Sequence, residues 1–202
     1  MKLKLILVWI VVILLPQTQQ AAYEVAAFND YCIKCTYFNY VHCYLNNKCF
    51  SENPGFCLSV RSNIIDCSTT SDTPITISIT DSLVGTYKGR TEWVSGETWV
   101  MYQFQNQLSS GIPGRLRISY SGTNLKFYKA PSLALATNAN LVRVGITGEL
   151  TVSTGTTYYL LVVNTENLRE TFYMEYQNGF YFKAMPIIFI SSVVILFSQI
   201  LF

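Results

Sequence analysis

All six cysteines of this 202-residue chain lie between Cys32 and Cys67, and the 135 residues that follow hold none. An even count in so short a stretch reads as a disulfide framework made in an oxidising compartment. The order is Cys32-x2-Cys35-x7-Cys43-x5-Cys49-x7-Cys57-x9-Cys67. Six cysteines allow fifteen pairings, and spacing does not choose among them. So short a segment cannot bury a large core, so crosslinks must take its place, each worth ~2–4 kcal/mol. A zinc site on Cys32-Ile33-Lys34-Cys35 and two later cysteines is the alternative, disfavoured because exposed thiols in the secretory pathway oxidise before they collect metal.

The two ends agree with that compartment. Met1-Lys2-Leu3-Lys4, the eleven apolar residues Leu5 to Leu15, then Pro16 and a polar run to Ala21-Ala22 make residues 1–22 a signal peptide, cleaved after Ala21 or Ala22. Its apolar run is shorter than the ~20 residues a spanning helix needs. An uncleaved N-terminal anchor is the other reading. Residues 178–202 read as a lipid-anchor signal or a transmembrane helix. Asn178-Gly179 would supply small residues at the attachment site, 180–184 a spacer, and the uncharged stretch Met185 to Phe202 the apolar tail. As a helix those last eighteen residues reach ~27 Å, short of the ~30 Å hydrocarbon core. The glycosylphosphatidylinositol (GPI) signal is preferred, with Asn178 as candidate attachment residue, because no basic flank follows the tail.

Between the ends, two regions are expected. Residues 23–70 form the cysteine-rich module, with Asn46-Asn47 and Asn53-Pro54-Gly55 as turns and His42 in a turn. Residues 71–74 are a linker within the polar stretch Ser68 to Pro74. Residues 75–177 form a mainly β domain. Its short runs follow a period-two scheme in which one face is apolar, as in Val100 to Phe104, Leu116 to Tyr120 and Leu125 with Phe127, and further runs are Ile75 to Ile79, Leu141 to Val144, Leu150 to Val152, Tyr158 to Val163 and Thr171 to Tyr176. Gly111, Gly122, Gly148 and Gly155 punctuate them. Seven to nine short strands at this spacing indicate an antiparallel β-sandwich, jelly-roll-like. This domain holds no cysteine and is long enough to bury a core, so it is expected to fold alone.

Two resemblances add to this reading. Tyr40-Val41-His42-Cys43-Tyr44-Leu45-Asn46-Asn47-Lys48-Cys49, within residues 32–67, resembles the middle of a plexin–semaphorin–integrin module, which implies a passive wedge between larger domains. The strand order of residues 97–176 resembles the bacterial pre-peptidase C-terminal domain. The residues that carry it are Glu97 to Phe104, Gly114 to Ser119, Asn124 to Tyr128, Gly148 to Val152, Gly155 to Val162 and Thr171 to Glu175. That likeness implies a jelly-roll-like accessory or binding domain without chemistry of its own. Asn124 stands where the family often has aspartate, which weakens any inference of bound calcium.

Charge and residue supply narrow the function. The net charge of +2 comes from Lys2 and Lys4, so the mature chain is near neutral and offers no electrostatic case for nucleic acid. No Gly-x-Ser-x-Gly stretch occurs, and the single histidine, His42, lies among the cysteines. The acidic pairs Glu92/Glu97 and Glu166/Glu170 read as solvated turn charges. No catalytic, cofactor or metal residues are therefore assigned. The expectation is a non-enzymatic binding or adhesion module on the extracellular face of the plasma membrane, its ligand a protein or a glycan. Trp93, Trp99, Tyr128, Tyr159 and Tyr173 are the candidate contacts on an outer sheet face. A self-associating coat subunit is the alternative, and a small secreted enzyme the third reading.

Overall fold

The computed structural model describes residues 22–80, 88–108, 111–146 and 149–178. The signal-peptide and C-terminal tail readings fall on residues outside these, Ala22 and Asn178 excepted. Among the described residues no helix is long and apolar enough to cross a membrane.

The cysteine-rich head comes first. Its one α-helix, α1 (Cys32–Tyr37), ends where Asn39 takes a left-handed φ of 60°, a conformation asparagine tolerates. Strands β1 (Val41–Cys43) and β2 (Lys48–Phe50) form a hairpin whose turn contains Asn47 at φ 54°. β3 (Val60–Arg61) adds to the other side of β1. All six cysteines pair within the head, as Cys32–Cys67, Cys35–Cys49 and Cys43–Cys57. His42 is a correction: it lies in β1, not a turn. Its ring is buried with neither nitrogen hydrogen-bonded, and burial holds its pKa below the usual histidine value.

The sandwich follows. One sheet holds β4 (Ile75–Ile79), β6 (Trp99–Asn106), β11 (Thr157–Asn164), β8 (Leu125–Ala130) and β9 (Val142–Arg143), in that order across the sheet. The other holds β10 (Glu149–Val152), β7 (Gly114–Ser119), β12 (Glu170–Asn178) and β5 (Lys88–Val94). Every ladder is antiparallel except β4 with β6. The core between the sheets is built from alternate residues, Val100, Tyr102 and Phe104 from β6 and Phe172, Met174 and Tyr176 from β12 among them. The period-two pattern located these strands correctly. It did not locate β5, where Lys88, Arg90 and Glu92 occupy the positions that apolar residues fill elsewhere.

The head and the sandwich are not joined by a free hinge. A second core lies on the outer face of the five-stranded sheet, where Ile33, Ile64 and Cys67 of the head pack with Trp99 and Met101 of β6 and Leu161 and Val163 of β11. Strands β6 and β11 are thus buried on both faces. Polar bonds fix the placement. The Trp99 indole N–H donates to the Cys67 carbonyl at 3.1 Å, and the Thr70 N–H donates to the Trp99 carbonyl at 2.7 Å. The Asn138 side chain donates to the carbonyls of Thr36 (2.8 Å) and Ser62 (3.2 Å) and accepts from the Ile64 N–H (2.9 Å).

Candidate binding surface

The five aromatic candidates separate by face. Trp99 is a correction: at 5 % exposure it lies under the head and contacts no ligand from there. Tyr128 and Tyr159 pack at the margin of the same contact, half-buried, and burial pushes the Tyr128 hydroxyl up to about 12. Only Trp93 and Tyr173 stand exposed, on the outer face of the four-stranded sheet. There the Arg169 guanidinium lies 4.1 Å from the Trp93 ring centroid, and the Tyr173 ring covers Gly89, where an added Cβ would sit 1.8 Å from the tyrosine oxygen. Each ring already has a partner on one side. The Asn178 backbone ends β12, paired with Gly114.

Of the acidic residues expected in solvated turns, Glu166 does lie in a loop with its side chain 42 % exposed, while Glu92 and Glu97 are corrections. Glu92 is buried in β5, ion-paired with Arg90, and its Oε2 accepts from the Tyr102 hydroxyl at 3.0 Å. That hydroxyl is held far above the ordinary tyrosine range, first by burial and then by the neighbouring carboxylate. Glu97 sits in a turn at φ 50°, and its Oε2 accepts from the Ile33 N–H at 3.1 Å, satisfying a free donor in the first turn of α1. Its other oxygen is buried without a partner. Beside it, Lys34 pairs with Glu166 at 3.0 Å. Burial raises the Glu97 carboxyl from 4.5 to about 7, against the lowering by the α1 backbone and Lys34.

A raised folded-state pKa means that folded protein holds this proton where unfolded chain has released it. Stability therefore falls as pH rises from 4.5 to about 7. For a partly buried carboxyl that solvent still screens, the effect is about 1–2 kcal/mol. Because the depressed His42 works in the opposite sense, weakening the fold as pH drops below its unfolded value, the contribution is read as a difference. Urea midpoints of wild type and Glu97→Gln, which keeps a carbonyl for Ile33, are expected to diverge in favour of the variant between pH 5 and pH 8. Parallel profiles would show that Glu97 titrates normally.

Among the described residues, exposed apolar side chains gather on the head, where sequence reasoning placed no contact. Tyr44, Leu45, Phe56, Leu58 and Val60 are all exposed, Leu58 at 90 %. The Cys43–Cys57 disulfide and the 3.0 Å bond from the Tyr44 N–H to the Ser59 carbonyl hold segments 44–45 and 56–60 side by side. Phe56 packs edge-on against buried Phe50, with centroids 5.4 Å apart, and the Arg61 guanidinium lies 4.0 Å from the Tyr44 centroid. The result is a rigid apolar tip with a cation beside it. The signal in the sequence was the run Phe56-Cys57-Leu58-Ser59-Val60, in which apolar residues flank a cysteine in a segment with no core to receive them.

Other features have less to offer. Among the described residues no group of three or more His, Cys, Asp and Glu side chains is placed to hold a metal ion. A cleft of about 240 Å³ opens beside β8 and β9, lined by Tyr120, Lys126, Phe127 and Arg143 among others. Two of its polar side chains serve the fold. The Tyr120 hydroxyl accepts from the N–H groups of Asn124 and Leu125 and donates to Glu170, and Lys126 donates to the Thr123 carbonyl.

No family model matches the chain, and no curated protein matches it. Among solved structures it is similar to PliG, a periplasmic inhibitor of g-type lysozyme, from Salmonella Typhimurium, at 14 % identity and a TM-score of 0.35. A mutant of the Escherichia coli PliG (12 %, 0.35) and the Aeromonas hydrophila PliG (11 %, 0.34) are similar to the same degree. Each alignment covers 53 % of this chain and all of the other. At such values the likeness decides nothing about function.

Proposed function

We propose that this protein is a non-enzymatic binding module of the extracellular space, which presents the apolar tip of its disulfide-bonded head to a protein partner. The observation that carries this is the tip itself. Exposed apolar side chains gathered on a crosslinked scaffold are the pattern of an interaction site, since isolated ones need no explanation but a patch does. The scaffold lowers the cost of binding by holding the contact segments in place beforehand. Three disulfides support residence in an oxidising compartment. The apolar run of residues 185–202 supports attachment to a membrane surface. The accessory character implied by the resemblance to pre-peptidase C-terminal domains is consistent with a sandwich that serves as a mount.

The natively secreted protein, coupled to resin, is expected to retain extracellular protein that Leu58→Asp and Phe56→Ser variants do not retain. Because these side chains are exposed, melting temperatures should change little. Retention that survives both substitutions would remove the tip as the site. Binding to a glycan array that survives them would make the ligand a sugar held elsewhere, with Trp93 and Tyr173 next in line.

A further inference from the structure

The edge strand β5 carries a pattern that its own fold does not use. It is seven residues long and bonded to β12 on one side, and among the described residues nothing pairs with its other side. Such an edge presents a row of free N–H and C=O groups to another strand. Its residues Lys88, Arg90, Glu92 and Val94 face inward, while Gly89, Thr91 and Trp93 face outward, as the burial of Glu92 and Val94 against the exposure of Trp93 shows.

We propose that β5 is the seam of a two-fold dimer, in which the β5 strands of two copies pair antiparallel with Thr91 opposite Thr91. The choice of register follows from charge. Centred on Thr91, Arg90 of each copy lies opposite Glu92 of the other, so the ion pair within each strand becomes a four-charge cluster of alternating sign. Centring on Arg90 places two arginines opposite each other, and centring on Glu92 two carboxylates. A shift by one residue sets inward-facing side chains opposite outward-facing ones, which the core does not permit. In the same register Trp93 of one copy lies opposite Gly89 of the other. The Tyr173 ring lies over that glycine, so the indole meets an aromatic ring there and the aromatic surface extends across the seam. Lys88 falls opposite Val94, where its stem can lie along the apolar edge with the ammonium in water. Two four-stranded sheets become one of eight strands, and the contact is isologous, so it closes at two copies. The partner this edge fits is a second copy of the chain, and the inference does not depend on the apolar tip.

The test uses the full chain in detergent with Leu58→Asp as background, which silences association through the head. Sedimentation velocity at about 100 µM, suited to an interface at the small end of those that persist in solution, is expected to show a dimer. Arg90→Glu and Glu92→Lys are each expected to be monomeric alone and to form a dimer when mixed, because each supplies the charge that the other lacks. Should Glu92→Lys fail to fold, hydrogen exchange on the background protein decides: amides in Lys88–Val94 should slow as concentration rises and remain fast in Arg90→Glu. A monomeric background protein, or a dimer that Arg90→Glu leaves intact, would overturn the seam.

Discussion

A chain reduced to residues 73–178 is expected to lose cooperative unfolding, to bind the dye ANS and to aggregate, although it contains the whole sandwich and no cysteine. Removing the head uncovers Trp99, Met101, Leu161 and Val163 together, with Tyr128 and Tyr159 beside them. Four large side chains at ~1.5–3 kcal/mol each make the loss on the order of 6–12 kcal/mol, an upper range because unfolded chains are already partly compact. A whole domain has only ~5–15 kcal/mol in hand. The Trp99 indole and the Asn138 side chain would also lose the partners they have on the head. Independent folding, the expectation from composition, is set against this contact. Circular dichroism during a urea titration decides between them: a sharp transition from monomeric 73–178 would mean that the contact between head and sandwich contributes little.

Replacing Phe127 by alanine is expected to cost about 3–5 kcal/mol, read as a shift of the urea midpoint at unchanged slope. Phe127 is buried in β8 between the two sheets. Its ring lies 5.4 Å from that of Phe172 and 5.9 Å from that of Tyr120, so truncation opens a cavity at an aromatic junction. Tyr120 also ties down the turn before β8 through its hydroxyl, which limits how far the neighbours can close in. A cost below ~1 kcal/mol would mean that the inner and outer faces of β8 are exchanged.

The alternation of residues placed most strands, because a side chain on a pleated strand has only two faces to choose between. It failed where both faces are buried. In β6 the sequence Trp99-Val100-Met101-Tyr102 has no polar residue to mark the outer side, and the aromatic reading of Trp99 as a contact followed from assuming that this side meets water. Cysteine clustering predicted a crosslinked head, but the pairing became legible only once α1 and β1 to β3 set which sulfurs meet. The buried glutamates were illegible for a related reason. Glu92 and Glu97 are held by Tyr102 and by the Ile33 N–H, groups 10 and 64 residues away, and no local rule reports such partners. The tip was readable as apolar residues in a stretch too small to bury them, a signal that a search confined to aromatics on the sandwich passes over.

The position of β12 bears on what happens when the molecule is pulled. β12 is a nine-residue strand flanked by β5 on one side and β7 on the other, and Asn178 is its last residue. Consider tension applied at residue 178 along the axis of β12. Both antiparallel ladders are then sheared, so their hydrogen bonds share the force and must fail together. An edge strand pulled outward would instead peel one bond at a time. Rupture under load is governed by the unfolding rate rather than by equilibrium stability. A strand gripped on both sides resists a pull along its axis at residue 178 more than an edge strand such as β5 would.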